Sequence, residues 1–169
     1  MNTRRLLVTS IFIVIVVIAT SNRQETFAQN PQEYAVVQDE AKRFLTVFFK
    51  WNTDEVMKLV DVPFLFDTEI VRDKNKLKNL FTETFSEKTT PKDKAQAQAK
   101  RHIRKIYTLR QFAEDKKFAG TIVLQLFSKV LDNDGRIVLI ELELDGDSQG
   151  ILIAVRLKKD GAKIVGFND

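Results

Sequence analysis

The 169-residue chain contains no cysteine. That excludes disulfide bridges, thiolate zinc sites, iron–sulfur clusters and thiol nucleophiles together. It has one histidine, His102, so no metal site built on several imidazoles can form. Three prolines and six glycines are too few for a collagen-like or linker-rich polymer. Neither sign of charge dominates, because 27 Lys+Arg stand against 23 Asp+Glu for a formal net charge of +4. With 44% hydrophobic residues the chain can bury a core and does not have the composition of a disordered polymer. Its length fits one domain, with or without a short appendage.

The long apolar run is at the N-terminus. Arg4 and Arg5 precede Leu6 to Ala19, which is almost wholly apolar. The run suits the core of a signal peptide and falls short of the ~20 residues that span a hydrocarbon layer. A signal peptide over residues 1–28 is expected, with cleavage after Ala28 in Thr26-Phe27-Ala28, or alternatively near Ala19-Thr20-Ser21. An uncleaved N-terminal anchor is the other reading, and only that one brings the chain to a membrane. Both place residues 29–169, read as a single domain, outside the cytoplasm: in the periplasm, the cell envelope or the medium. Cleavage removes Arg4, Arg5, Arg23 and Glu25, leaving 24 basic against 22 acidic side chains. A balance of +2 gives no reason to expect nucleic acid as a partner.

Helical spacing of Val37, Ala41, Phe44, Leu45, Phe48 and Trp51 predicts a helix from Pro31 to Trp51. A short helix over Asp54 to Val60 follows, with Thr53 as its cap, and Asp61-Val62-Pro63 ends it. Phe64-Leu65-Phe66 and Glu69-Ile70-Val71 read as two short strands around Asp67-Thr68. Asp73 caps a third helix to about Phe85, striped by Leu77, Leu80, Phe81 and Phe85. Ser86 to Lys100 reads as a polar loop, and Lys100 to Phe112 as a strand, because β-branched and aromatic residues cluster at 103–108, with a helix striped by Ala99, Ile103 and Ile106 as the alternative. Over 118–131 the polar positions Thr121, Gln125, Ser128 and Lys129 predict a helix rather than a strand. Arg136–Leu144, Gly150–Lys158 and Ala162–Phe167 are three strands, joined through Asp145-Gly146 and Asp160-Gly161 turns. Alternation in the last strands predicts one sheet face buried under helices and the other partly wet. Helices first and an antiparallel meander last make an α+β fold.

This order resembles the nuclear transport factor 2-like superfamily, which includes ketosteroid isomerase-like enzymes and SnoaL-like cyclases. The resemblance covers roughly residues 32–168. It rests on the long first helix with Phe44-Leu45, on Asn52-Thr53-Asp54-Glu55-Val56, on Val60-Asp61-Val62-Pro63-Phe64-Leu65-Phe66-Asp67, and on a final hairpin ending Lys163-Ile164-Val165-Gly166-Phe167. It implies a cystatin-like, cone-shaped roll: a curved antiparallel sheet against N-terminal helices, enclosing an apolar interior at the open end. The helix at about 118–131 is an addition to that pattern, placed where it would cover or reshape the mouth of the cone. The resemblance also implies homodimers through the outer face of the sheet.

Asp67 sits roughly where ketosteroid isomerase-like enzymes place a general base, and a carboxylate in an apolar pocket would accept a proton near neutral pH. It is equally a turn residue between two short strands. Such chemistry needs an oxyanion stabiliser, for which Tyr34 near the start of the first helix and Tyr107 in the long strand are the candidates. His102 is a second candidate base, or one member of a basic run, Lys100-Arg101-His102-Ile103-Arg104-Lys105, that offers an anion or membrane-surface patch. Asp132-Asn133-Asp134-Gly135 opens like a calcium loop but lacks the downstream glutamate, and reads as a turn. No metal and no cofactor is expected. The leading expectation is an exported, non-catalytic domain that binds a small apolar molecule or a protein partner, as a homodimer. The alternative is a cofactor-free isomerase, dehydratase or cyclase with Asp67 as base.

Overall fold

The computed structural model describes residues 30–87, 98–144 and 147–168. The expected signal peptide over 1–28 lies outside them, as do most of the Ser86–Lys100 loop and the Asp145-Gly146 turn. Among the described residues, no helix is long and apolar enough to cross a membrane.

Helix α1 runs Pro31–Phe48. Asn30 caps it by accepting from the Gln32 amide, and Pro31 fills the first position, where its missing N–H costs nothing. The helix stops three residues before the expected Trp51, which takes a left-handed φ of 52° and turns the chain. Helix α2 runs Thr53–Leu59. Its cap is Asn52, not Thr53: the Asn52 Oδ1 accepts from the Glu55 amide at 3.1 Å. Strand β1 (Val60–Phe66) follows without a loop and runs through Pro63 across a cis Val62–Pro63 peptide. Strand β2 (Glu69–Val71) returns beside it, and helix α3 (Lys74–Ser86) is capped by Asp73 as expected.

Strand β3 (Lys100–Thr108) ends four residues before the expected Phe112, because a capping box of Thr108 and Gln111 starts helix α4 (Leu109–Glu114) there. The helix expected over 118–131 shrinks to α5, Ile122–Phe127, capped by Thr121. Gly120 explains the late start, since its φ of 73° is not helical. Strands β4 (Arg136–Leu144), β5 (Asp147–Lys158) and β6 (Gly161–Asn168) complete the chain.

The six strands form one sheet in the order β2-β1-β6-β5-β4-β3. All pairings are antiparallel except β1 with β6, so the sheet is mixed rather than purely antiparallel. The α+β order and the three C-terminal strands stand as expected. Helices α1 to α3 pack on one face, over Val138, Ile140, Ile151, Ile153 and Val155.

The other face is not wet along its length. Here α4, α5 and the turn to Leu131 bury Leu65, Tyr107, Ile137, Leu152, Ala154 and Val165 under Phe112, Leu126 and Phe127. The segment around α5 therefore covers the back of the sheet, not the mouth of a cone. Gly166 makes the close contact possible: a Cβ there would meet the Phe127 ring at 3.2 Å. Arg156 fastens the cover, donating from Nη2 to the Val130 carbonyl at 2.7 Å while Nη1 reaches the Val62 carbonyl on β1.

Candidate functional site

On the helix-covered face the sheet alternation selects apolar residues almost without exception. Phenylalanines fill the space above it. Phe48 stacks on Phe167 with centroids 4.7 Å apart and lies 5.5 Å from Phe44 and 5.3 Å from Phe85. Phe81 meets Phe85, Phe64 and Phe66 at 5.6–5.7 Å. These rings run in unbroken contact from α1 through the sheet to α3, at separations typical of favourable aromatic pairs.

Charged strand residues join this face at its margins: Arg136 of β4 pairs with Glu33 of α1, Glu69 of β2 with Lys76 of α3, and Arg101 of β3 lies over Phe49. Arg101 shares the parity of Ile103, and its guanidinium lies 4.9 Å from the centre of the half-buried Phe49 ring. Burial lowers the Arg101 pKa below its ordinary value. Strand alternation separates Arg101 from the basic neighbours it adjoins in the sequence.

Asp67, Tyr107 and His102 do not come together. Asp67 is exposed at the tip of the β1–β2 turn with φ 52°. Its amide donates to the Phe167 carbonyl at 3.0 Å, and its own carbonyl accepts from Asn168 Nδ2 at 3.2 Å. Tyr107 and His102 are on β3, separated from β1 by the full width of β6, β5 and β4. Tyr107 faces the back of the sheet, where its hydroxyl donates to Asp115 Oδ2 at 3.0 Å. Burial, with the Asp115 carboxylate beside it, pushes the phenol up to about 12. Lys105 completes the group, 3.6 Å from Asp115 and 4.4 Å from the centre of the Tyr107 ring. Asp115 ties α4 to β3. No local motif marks it, because its partner Tyr107 stands eight residues back, on the far side of α4.

His102 is exposed on the back of β3, with Nε2 3.6 Å from Glu143 Oε2. The basic run splits between the two faces, and β4 answers its members on the back with acids. Arg104 Nε donates to Glu141 at 2.5 Å. Glu141 titrates below its ordinary value because Arg104 hydrogen-bonds it, against a smaller opposing effect of burial.

Two adjoining depressions, of ≈ 380 and ≈ 330 Å³, flank the first turn of α1. Both are lined by Glu33, Leu157, Lys158 and Lys159. Glu33 pairs with Arg136, and Lys158 with Asp61 at 2.6 Å. Neither depression includes Asp67, Tyr107 or His102. Asp132–Gly135 is a turn, closed by the Gly135 amide on the Asp132 carbonyl at 3.0 Å. Among the described residues, no cluster of three or more potential ligands could hold a metal ion.

The chain is similar to NTF2-like folds. An NTF2-like protein of unknown function from Cytophaga hutchinsonii aligns at a TM-score of 0.38 with 10% identity, over 78% of this chain and 85% of that one. The de novo designed NTF2 fold protein NT-9 aligns at 0.38 with 15% identity, over 82% and 83%. No protein-family model matches the chain, and no curated protein matches it. The likeness is one of fold: N-terminal helices over a curved six-stranded sheet.

Proposed function

We propose that the chain is an exported, non-catalytic domain that works by engaging a protein partner through its outer surfaces. The observation carrying this reading is the distribution of polar groups. A catalytic hollow needs several polar groups converging within an apolar pocket. Here the acids and bases at issue lie on the sheet's back and at an exposed turn, while phenylalanine rings occupy the concave side. Export is inferred from the apolar run after Arg4 and Arg5.

Photo-crosslinking in intact cells tests the partner, with p-benzoylphenylalanine placed at exposed positions of the domain. An adduct of one discrete mass, appearing from a contiguous set of positions, is expected. Native mass spectrometry of the protein isolated without detergent tests the interior, and the mass of the polypeptide alone is expected. A co-purifying small molecule, or an apolar dye that binds saturably at one to one, would overturn the reading.

That outcome would favour a second reading, in which a small molecule with an apolar body and an anionic group binds beside Phe49. The Arg101 guanidinium over that ring supports it. Catalysis with Asp67 as base has less support, since neither Tyr107 nor His102 is near it. A homodimer through the back of the sheet would have to form around the cover built by α4 and α5.

A further inference from the structure

The two edges of the sheet are unequal. Strand β2 ends one side with three residues, whereas β3 ends the other with nine. An edge strand presents a row of backbone donors and acceptors with which another extended chain can pair. Among the described residues, no strand pairs with the outer side of β3.

The side chains on this edge define what would fit. On the back of the sheet β3 presents His102, Arg104 and Lys105, with the register shift between Ile103 and Lys105 placing two cations side by side. Their acidic partners lie further in: Glu143 and Glu141 on β4, and Asp115 after α4. Two of the three cations are the outermost charges, while His102 and Glu143 are alike at 46% and 48% exposed. Arg104 and Lys105 are 54% and 57% exposed, against 29% for Glu141 and 21% for Asp115. A strand approaching the edge meets positive charge first. On the opposite parity it meets Ile103 and Ile106, which belong to the apolar concave side.

Like charges directly opposed across strands are destabilising and opposite charges stabilising. A second copy pairing β3 against β3 would set cations against cations. The segment that precedes β3 in the chain, 88–97, carries Lys88, Lys92 and Lys94 against Asp93, again the wrong sign. The geometry points to the outer edge of β3 as a docking site for an extended acidic segment of a partner polypeptide, added as a seventh strand. Acids alternate with apolar residues in that segment, so that it repeats on the outer side what Glu141-Leu142-Glu143 supplies from β4 on the inner. Main-chain pairing provides affinity and the alternating side chains provide selection. This proposal rests on the reading that the domain works through a protein partner, and it names the surface.

The test uses the purified protein and a fluorescein-labelled octapeptide of alternating glutamate and valine, followed by anisotropy. Saturable binding is expected, weakening with added salt, and the matching lysine–valine peptide should bind at least tenfold more weakly. Two further peptides carry backbone N-methyl groups along one edge or the other. One should lose binding and the other keep it, because strand addition uses a single edge. The Arg104→Gln protein should bind about fivefold more weakly, with its unfolding midpoint, read from Trp51 fluorescence, showing that it remains folded.

Equal binding of the lysine peptide would overturn the proposal, as would equal binding of both methylated peptides. So would amide-exchange protection of the β3 outer edge in the unliganded protein matching that of β4, which would mean the edge is already covered. A dimer through β3 that the acidic peptide fails to displace would overturn it in favour of a second copy. Any of these results, alongside a discrete photo-adduct from another surface, would leave the interaction-domain reading standing. Saturable binding of an apolar small molecule would instead remove that reading.

Discussion

Adding a single methyl group at Gly166 probes the contact between the sheet and its back cover. Gly166 lies on β6 directly opposite Ala154 of β5 and Leu65 of β1. A Cβ at 166 would stand 3.1 Å from the Ala154 Cβ, 3.2 Å from the Leu65 Cβ and 3.2 Å from Phe127 Cε1. Opposed Cβ atoms in a sheet ordinarily stand ~4.5–5.5 Å apart. Two of the three neighbours are fixed to backbone and cannot rotate aside, so the strands or the Phe127 ring must move. Overpacking of this kind costs about 1–3 kcal/mol. The loss of chain entropy in the unfolded state returns roughly 0.4–1 kcal/mol. Gly166→Ala should therefore destabilise by about 1–2 kcal/mol, or lower the melting temperature by roughly 3–10 °C. Urea unfolding followed by Trp51, the single tryptophan, would measure it with an unchanged slope. Phe127→Leu alone should cost about 1 kcal/mol, yet the double variant should be less destabilised than the sum by about 0.5–1 kcal/mol. A neutral Gly166→Ala, or additivity within ~0.3 kcal/mol, would refute the argument that Phe127 presses on β6.

Phe48→Ala should lose about 3–5 kcal/mol, because that buried ring contacts Phe44, Phe49, Phe81, Phe85 and Phe167; equilibrium denaturation measures it. Asn52→Ala should cost about 1 kcal/mol and Thr53→Ala less than half of that, in the same assay, since Asn52 alone makes the capping bond. Tyr107 has its folded pKa raised to about 12 by burial and by Asp115. Between about pH 10 and 12 the unfolded chain loses that proton and the folded one keeps it, so stability falls as pH rises through this window. Tyr107→Phe should abolish that part of the decline, which melting curves across the alkaline range would detect.

Much of the concave side was legible from period alone. Val37, Ala41, Phe44, Leu45 and Phe48 mark α1 by spacing, and Ile151, Ile153 and Val155 mark the face they cover. The back of the sheet was harder to read. Leu152 and Ala154 alternate with those residues and read as a partly wet face, because nothing local says that Phe112 and Phe127 fold over them. The parallel pairing of β1 with β6 was invisible for a related reason: it joins residues about a hundred positions apart, and no turn chemistry announces it. Helix ends were misplaced where one residue takes a left-handed φ, at Trp51 and Gly120. For the candidate residues, type and strand position were readable. Which face each side chain takes depended on the register shift in β3 and on a cover formed elsewhere in the chain.

The position of β6 also constrains how folding can proceed. It is an interior strand, held between β1 and β5, and Phe167 closes the aromatic stack begun by Phe44 and Phe48. A nascent polypeptide thus holds α1 to α3 with no completed surface to rest on until Phe167 has emerged. Such long-range closure slows collapse to the native state. On the proposal that the chain is exported, that delay would keep the polypeptide threadable until nearly all of this domain has been made.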